Sequence, residues 1–133
     1  MHLIVCVDER DGLSFCGRRL SQDRKLIDHI LYKTAGHRLW MNAYSAKLFP
    51  QGSVQVDSEF WNAAPSGDYC FLETSPVLEH YENLESVILY CWNRAYPSTV
   101  RFPRSLISGM HLESAEEFSG NSHEKITMER YVP

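Results

Sequence analysis

Four cations crowd one short stretch of this chain: Arg18, Arg19, Arg24 and Lys25. Guanidinium forks beside the N–H groups of a helix start hold a phosphate or carboxylate well, so these residues are candidates for anion binding. Asp8, Glu9 and Asp11 lie just upstream and offer the plainer alternative of a solvated ion-pair surface. Asp23 sits between the two basic pairs, in the first turn of an expected helix. An acid there favours the positive helix end by roughly 0.3–1 kcal/mol whatever else it does.

Other chemistry is thin. The six histidines, at 2, 29, 37, 80, 111 and 123, show no paired spacing suited to a metal, and His29 reads as a surface or boundary residue. No His-x-His-x-Asp-His run is present, so a zinc ribonuclease of the β-lactamase type would lack its ligands. Gly-x-Ser-x-Gly, Walker and dinucleotide-binding fingerprints are also missing. Cys6, Cys16, Cys70 and Cys91 are scattered, with no Cys-x-x-Cys pair. Three of them fall in apolar, strand-like runs, and only Cys16, beside Gly17, reads as an exposed thiol.

The elements that must position these groups follow from periodicity. Residues 3–7 and 86–92 are apolar throughout, which suits central strands buried on both faces. A loop is expected over 8–20. Ser21 then reads as an N-cap, Leu26, Ile27, Ile30 and Leu31 recur at helical spacing, and Gly36 is the stop. Shorter pieces follow: a strand over 38–41, a helix over 43–49 closed by Pro50, a strand over 53–56, and a helical turn capped by Ser58 with Phe60 and Trp61. Residues 69–72 read as a strand, and Ser75 with Pro76 opens a helix. From Gly109 the pattern becomes two alternating strands, about 110–118 and 124–131, around a turn at 119–122. The whole predicts an α/β sheet, parallel at its centre and finished by an antiparallel hairpin.

With 133 residues, 44% hydrophobic, the chain can bury the core of a single domain over 1–133. A net charge of −4 argues against a general nucleic-acid binder. A nucleic-acid-processing accessory role without a metal site is the third reading, to be revived only by salt-sensitive RNA retention. The run 3–7 is too short for a signal peptide, and no stretch approaches the roughly 18 apolar residues of a membrane span. The expectation is a cytoplasmic protein with reduced thiols and no membrane partner.

This order of elements, with several local strings, resembles dihydrofolate reductase. Leu3, Ile4, Val5, Cys6, Val7 and Asp8, followed by Gly12, are similar to that family's first strand and the start of its active-site loop. Leu20, Ser21, Gln22 and Asp23 stand where the family places a Leu/Met-Pro-Trp segment and the acid that holds the pterin. Residues 38–42 resemble its second strand, and 44–48 the helix that begins at the nicotinamide-cofactor phosphates. Residues 86–92 with Ser98, Thr99, Val100, Arg101, Phe102 and Pro103 are similar to its late strand and acidic-Thr-x-Phe-Pro signature. Residues 121–130 resemble its closing strand. The resemblance implies a dihydrofolate-reductase-like mixed sheet with helices on both faces. It also implies a pocket between the first helix and the strand ends at Val7 and Tyr90, near Asp23, Arg19, Tyr44 and Thr99. Asp23 would there accept two parallel donors from a pterin-like ring.

The chain departs from that pattern in four places. Glu73 and Thr74 replace the glycine pair that admits the cofactor pyrophosphate, and a carboxylate there would repel a diphosphate. Ser21 and Gln22 replace the Pro-Trp element, Asn42 to Ser45 replace the Arg-x-Thr phosphate clamp, and the segment between Phe49 and Tyr69 is short. These departures argue against hydride transfer. The leading expectation is a binding domain for a small ligand or a protein partner, with no cofactor, no metal and no assigned catalytic residue. The alternative is an NADPH-dependent reductase of a pterin or related heterocycle. Phe60 and Trp61 offer an aromatic patch through which a second copy of the chain could associate.

Overall fold

A computed structural model describes residues 1–74 and 83–133. In chain order its elements are β1 (His2–Val7), β2 (Gly12–Phe15), β3 (Arg18–Arg19), α1 (Arg24–Lys33), β4 (Leu39–Met41), α2 (Ala43–Ala46), β5 (Gln55–Val56), α3 (Phe60–Ala63), β6 (Tyr69–Leu72), β7 (Ser86–Cys91), β8 (Val100–Arg101), a 3-10 turn (Arg104–Ile107), β9 (His111–Phe118) and β10 (Ile126–Val132). The helix expected from Ser75 and Pro76 lies outside the described residues.

The doubly apolar strands β1 and β7 pair in parallel at the middle of a seven-stranded sheet, ordered β5-β4-β6-β1-β7-β10-β9. The first five strands run parallel; β10 and β9 close the sheet antiparallel, as the two patterns in the sequence require. Alternate side chains of β1 serve opposite faces. Ile4 joins Phe71, Ile88, Tyr90 and Met128 beneath Leu26, Ile27 and Ile30 of α1. Leu3, Val5 and Val7 join Val87 and Leu89 on the other face, covered by Phe60 of α3 and by Phe102 and Ile107. Each of the α1 anchors is worth about 1.5–3 kcal/mol of buried apolar surface. Among the described residues no helix is long and apolar enough to cross a membrane.

The stretch 8–20 is not a plain loop. β2 and β3 form a small hairpin whose turn residues, Cys16 and Gly17, both have positive φ, 48° and 77°. That is the backbone a two-residue hairpin turn demands. β8 pairs on the other side of β2 to complete a three-stranded sheet. Strands of two to four residues carry too little periodicity to be read in advance.

Other boundaries moved for local reasons. α1 is capped by Asp23 rather than Ser21, because the Asp23 carboxylate accepts from Lys25 N–H at 2.9 Å. α2 ends at Ala46, and 47–49 continue as turns. Asp57, not Ser58, satisfies the chain entering α3 by accepting from Glu59 N–H at 2.8 Å. β9 is largely exposed along 111–115 instead of alternating, as befits a charged strand at the sheet edge. Phe60 is buried and Trp61 packs against the same core, so the two rings do not form an exposed patch. Trp92 is buried, while Trp40 is half-buried and donates its indole N–H to Asp68 Oδ2 at 3.0 Å. His29 is also half-buried, stacked on Phe118 and bonded through Nδ1 to the Tyr90 hydroxyl.

Candidate functional site

The start of α1 brings the most polar groups together, and Asp23 is their centre. Its Oδ1 accepts from Lys25 N–H and Asn121 N–H, each at 2.9 Å. Its Oδ2 accepts from Ser122 N–H at 2.8 Å, from the Ser122 hydroxyl at 3.2 Å and from His123 Nδ1 at 2.9 Å. The carboxylate has no exposed surface. Burial alone would raise its pKa, but the Asn121, His123, Ser122 and Lys25 donors outweigh that and hold it well below the usual carboxylate range. Asp23 therefore fastens the β9–β10 turn onto α1. Gly120 makes this approach feasible, since a Cβ there would stand 2.6 Å from Asp23 Oδ2.

From Asp23 the network runs on. His123, buried and stacked on Trp92 at a centroid distance of 4.5 Å, faces two hydroxyls with Nε2: Ser21 Oγ at 3.0 Å and Tyr96 at 2.9 Å. Tyr96 N–H in turn donates to Asp8 Oδ2 at 3.0 Å, and Asp8 Oδ1 accepts from Gly12 N–H at 2.6 Å. The chain of bonds links α1, the β9–β10 turn and the β1–β2 junction.

A second cluster surrounds Glu73, just after β6. Arg19 meets its carboxylate with two N–H groups, at 2.8 and 3.1 Å, and the Ser45 hydroxyl donates to it at 2.7 Å. The Arg19 guanidinium also lies 4.2 Å over the Tyr44 ring and reaches the Tyr44 carbonyl at 3.2 Å. The Tyr44 hydroxyl accepts from Arg19 N–H at 3.1 Å. Arg19 and Tyr44 are thus brought together, but on each other and on Glu73. Glu73 is thereby tied to Ser45 in α2 as well as to Arg19.

The remaining expected residues disperse. The Thr99 hydroxyl accepts from Cys16 N–H at 2.8 Å and steadies the β2–β3 turn. Arg18, Arg24 and Lys25 are exposed, and with Arg19 committed to Glu73 the four cations do not converge on one anion site. Val7 and Tyr90, the strand ends between which a pocket was expected, are both buried, and a cleft of about 690 Å3 opens elsewhere among the described residues. It lies outside α1, between Gln22, Asp23, Arg24 and Ile27 on one side and Lys47 and Phe49 on the other. Of the expected site residues, Asp23 and Arg24 line it. Among the described residues no group of His, Cys, Asp and Glu gathers in a way that could hold a metal.

Sequence reasoning missed His123, Tyr96 and the part played by Ser21. His123 lies 100 positions from Asp23, in a turn of ordinary composition, and no local pattern distinguishes it from the other histidines. Glu73 was noticed as a substitution, but its partner was not.

No family model matches the chain, and no curated protein matches it in sequence. Among solved structures it is similar to the dihydrofolate reductase of Enterococcus faecalis, which was solved in complex with NADP(H) and RAB-propyl. The TM-score is 0.66 at 11% sequence identity, over 98% of this chain and 94% of that one. The sheet order, the parallel centre and the antiparallel finish are therefore those of the dihydrofolate-reductase-like fold; at that identity the likeness extends to the fold alone.

Proposed function

We propose that this chain is a dihydrofolate-reductase-like domain that binds a small ligand without hydride transfer. The observation that supports this reading most directly is the Glu73–Arg19 pair. A buried carboxylate, held by a two-pronged guanidinium contact and by Ser45, stands where a diphosphate would need glycine backbone and positive charge. The ligand site of this reading is the cleft beside α1, where Arg24, Lys47 and Asp28 supply charge around the apolar Ile27 and Phe49. A compact polar molecule with one apolar face suits that lining.

A thermal-shift titration against NADPH, NADP, dihydrofolate, folate and a set of nucleotides tests it, because a ligand that binds the native state must raise its stability. The expected result is no response to NADPH or NADP and a dose-dependent rise with a ligand whose effect is removed by Lys47→Glu, an exposed position on the cleft wall. A rise with NADPH, accompanied by its oxidation in the presence of dihydrofolate, would replace this reading with the reductase one.

A further inference from the structure

Ser21, His123 and Asp23 stand in line. Asp23 Oδ2 lies 2.9 Å from His123 Nδ1, and His123 Nε2 lies 3.0 Å from Ser21 Oγ. With the Asp23 carboxylate accepting a hydrogen bond from Nδ1–H, the imidazole keeps one tautomer and its Nε2 lone pair faces the serine hydroxyl. Both partners behind the serine are held rigidly. The His123 ring is stacked on Trp92, and the Asp23 carboxylate is fixed by the N–H groups of Lys25, Asn121 and Ser122. Ser21 itself stays partly open to solvent. It lies two residues before Asp23, the N-cap of α1, so the start of that helix fixes the backbone that carries the serine.

We propose that Ser21 is an activated nucleophile, with His123 as its general base and Asp23 as a positioning residue, and that it hydrolyses small acyl esters. Ser21 Oγ adds to the ester carbonyl carbon while its proton passes to His123 Nε2. The tetrahedral oxyanion then collapses, the bond to the alcohol oxygen breaks, and the alcohol leaves with the Nε2 proton. Water adds to the acyl-serine carbon and gives a proton to Nε2, and Ser21 departs with that proton. The sum is ester plus water giving acid plus alcohol, with no other reactant.

Tyr96 supplies a discriminating handle. Its hydroxyl lies 2.9 Å from the same Nε2 and 3.4 Å from Ser21 Oγ, so in the resting protein it competes with the serine for the lone pair. Removing that hydroxyl leaves Nε2 to Ser21 alone.

The experiment uses p-nitrophenyl acetate as substrate and an alkyl fluorophosphonate as trap, with intact mass and peptide mapping as readouts. The folded chain is expected to take up one phosphonyl group, on Ser21, about 100-fold faster than the urea-unfolded chain, and to turn over the ester. Ser21→Ala takes up none. Tyr96→Phe reacts at least as fast as wild type. His123→Asn, which keeps a donor toward Asp23 but has no base, reacts about 100-fold more slowly. If His123→Asn does not fold, the folded and unfolded wild-type chains and Ser21→Ala carry the decision. Equal labelling of folded and unfolded chains, labelling that survives Ser21→Ala, loss of labelling in a folded Tyr96→Phe, or a folded His123→Asn that reacts at the wild-type rate would each overturn the proposal.

Discussion

Asp23→Asn separates a structural latch from a ligand-binding acid. In the folded chain Oδ1 meets two N–H groups, and Oδ2 meets Ser122 N–H, the Ser122 hydroxyl and His123 Nδ1. An amide has one oxygen, so whichever way it turns, its NH2 confronts two nitrogen donors. Each buried donor left unpaired costs about 1–3 kcal/mol, and His123 can relieve one by changing tautomer. The expected destabilisation is about 2–4 kcal/mol, or roughly 10 °C in Tm for a chain of this length. Urea and thermal unfolding at neutral pH measure it. The pH dependence carries a sign of its own. The folded pKa of Asp23 lies below its unfolded value of about 3.9, so its contribution is complete above that value and is lost as pH falls toward the folded one. The gap between wild type and Asp23→Asn should be constant from about pH 5 to 7 and should shrink below about pH 4. A variant within about 0.5 kcal/mol of wild type, or a gap that widens on acidification, would refute the latch. A stable variant that loses ligand response would restore Asp23 as a binding group.

Three further outcomes are expected. Gly120→Ala forces a Cβ to 2.6 Å from Asp23 Oδ2 and 2.7 Å from the His123 carbonyl, so it should cost about 1–3 kcal/mol by urea unfolding. Glu73→Gln breaks the buried end of the Arg19 pair and should cost about 2 kcal/mol, discounted because the guanidinium is partly solvated; adding Arg19→Met should recover part of the loss, and a neutral Glu73→Gln would contradict the assigned pairing. An aromatic disulfide reagent should react quickly with one thiol, Cys16, in the folded chain and with all four in urea. Burial pushes Cys70 and Cys91 up to about 12, so fast reaction of either would show that the core opens.

What the sequence determined by itself was the set of elements whose burial is written in their own period. β1 and β7 had to lie centrally, because a strand apolar at successive positions has no face to give to water. α1 was legible in Leu26, Ile27 and Ile30, and the closing hairpin in its change to period two. Asp23 was recognised as an acid at a helix start, which is where it lies, but its partners were not. Those came only with the tertiary structure: His123 from 100 positions away, and Glu73 for Arg19 from 54. A period records which side of an element faces the core, a property of each element alone. Which side chains then meet depends on strand order and on how the β9–β10 turn settles against α1. That choice paired Arg19 with Glu73 and set Ser21, His123 and Asp23 in one line.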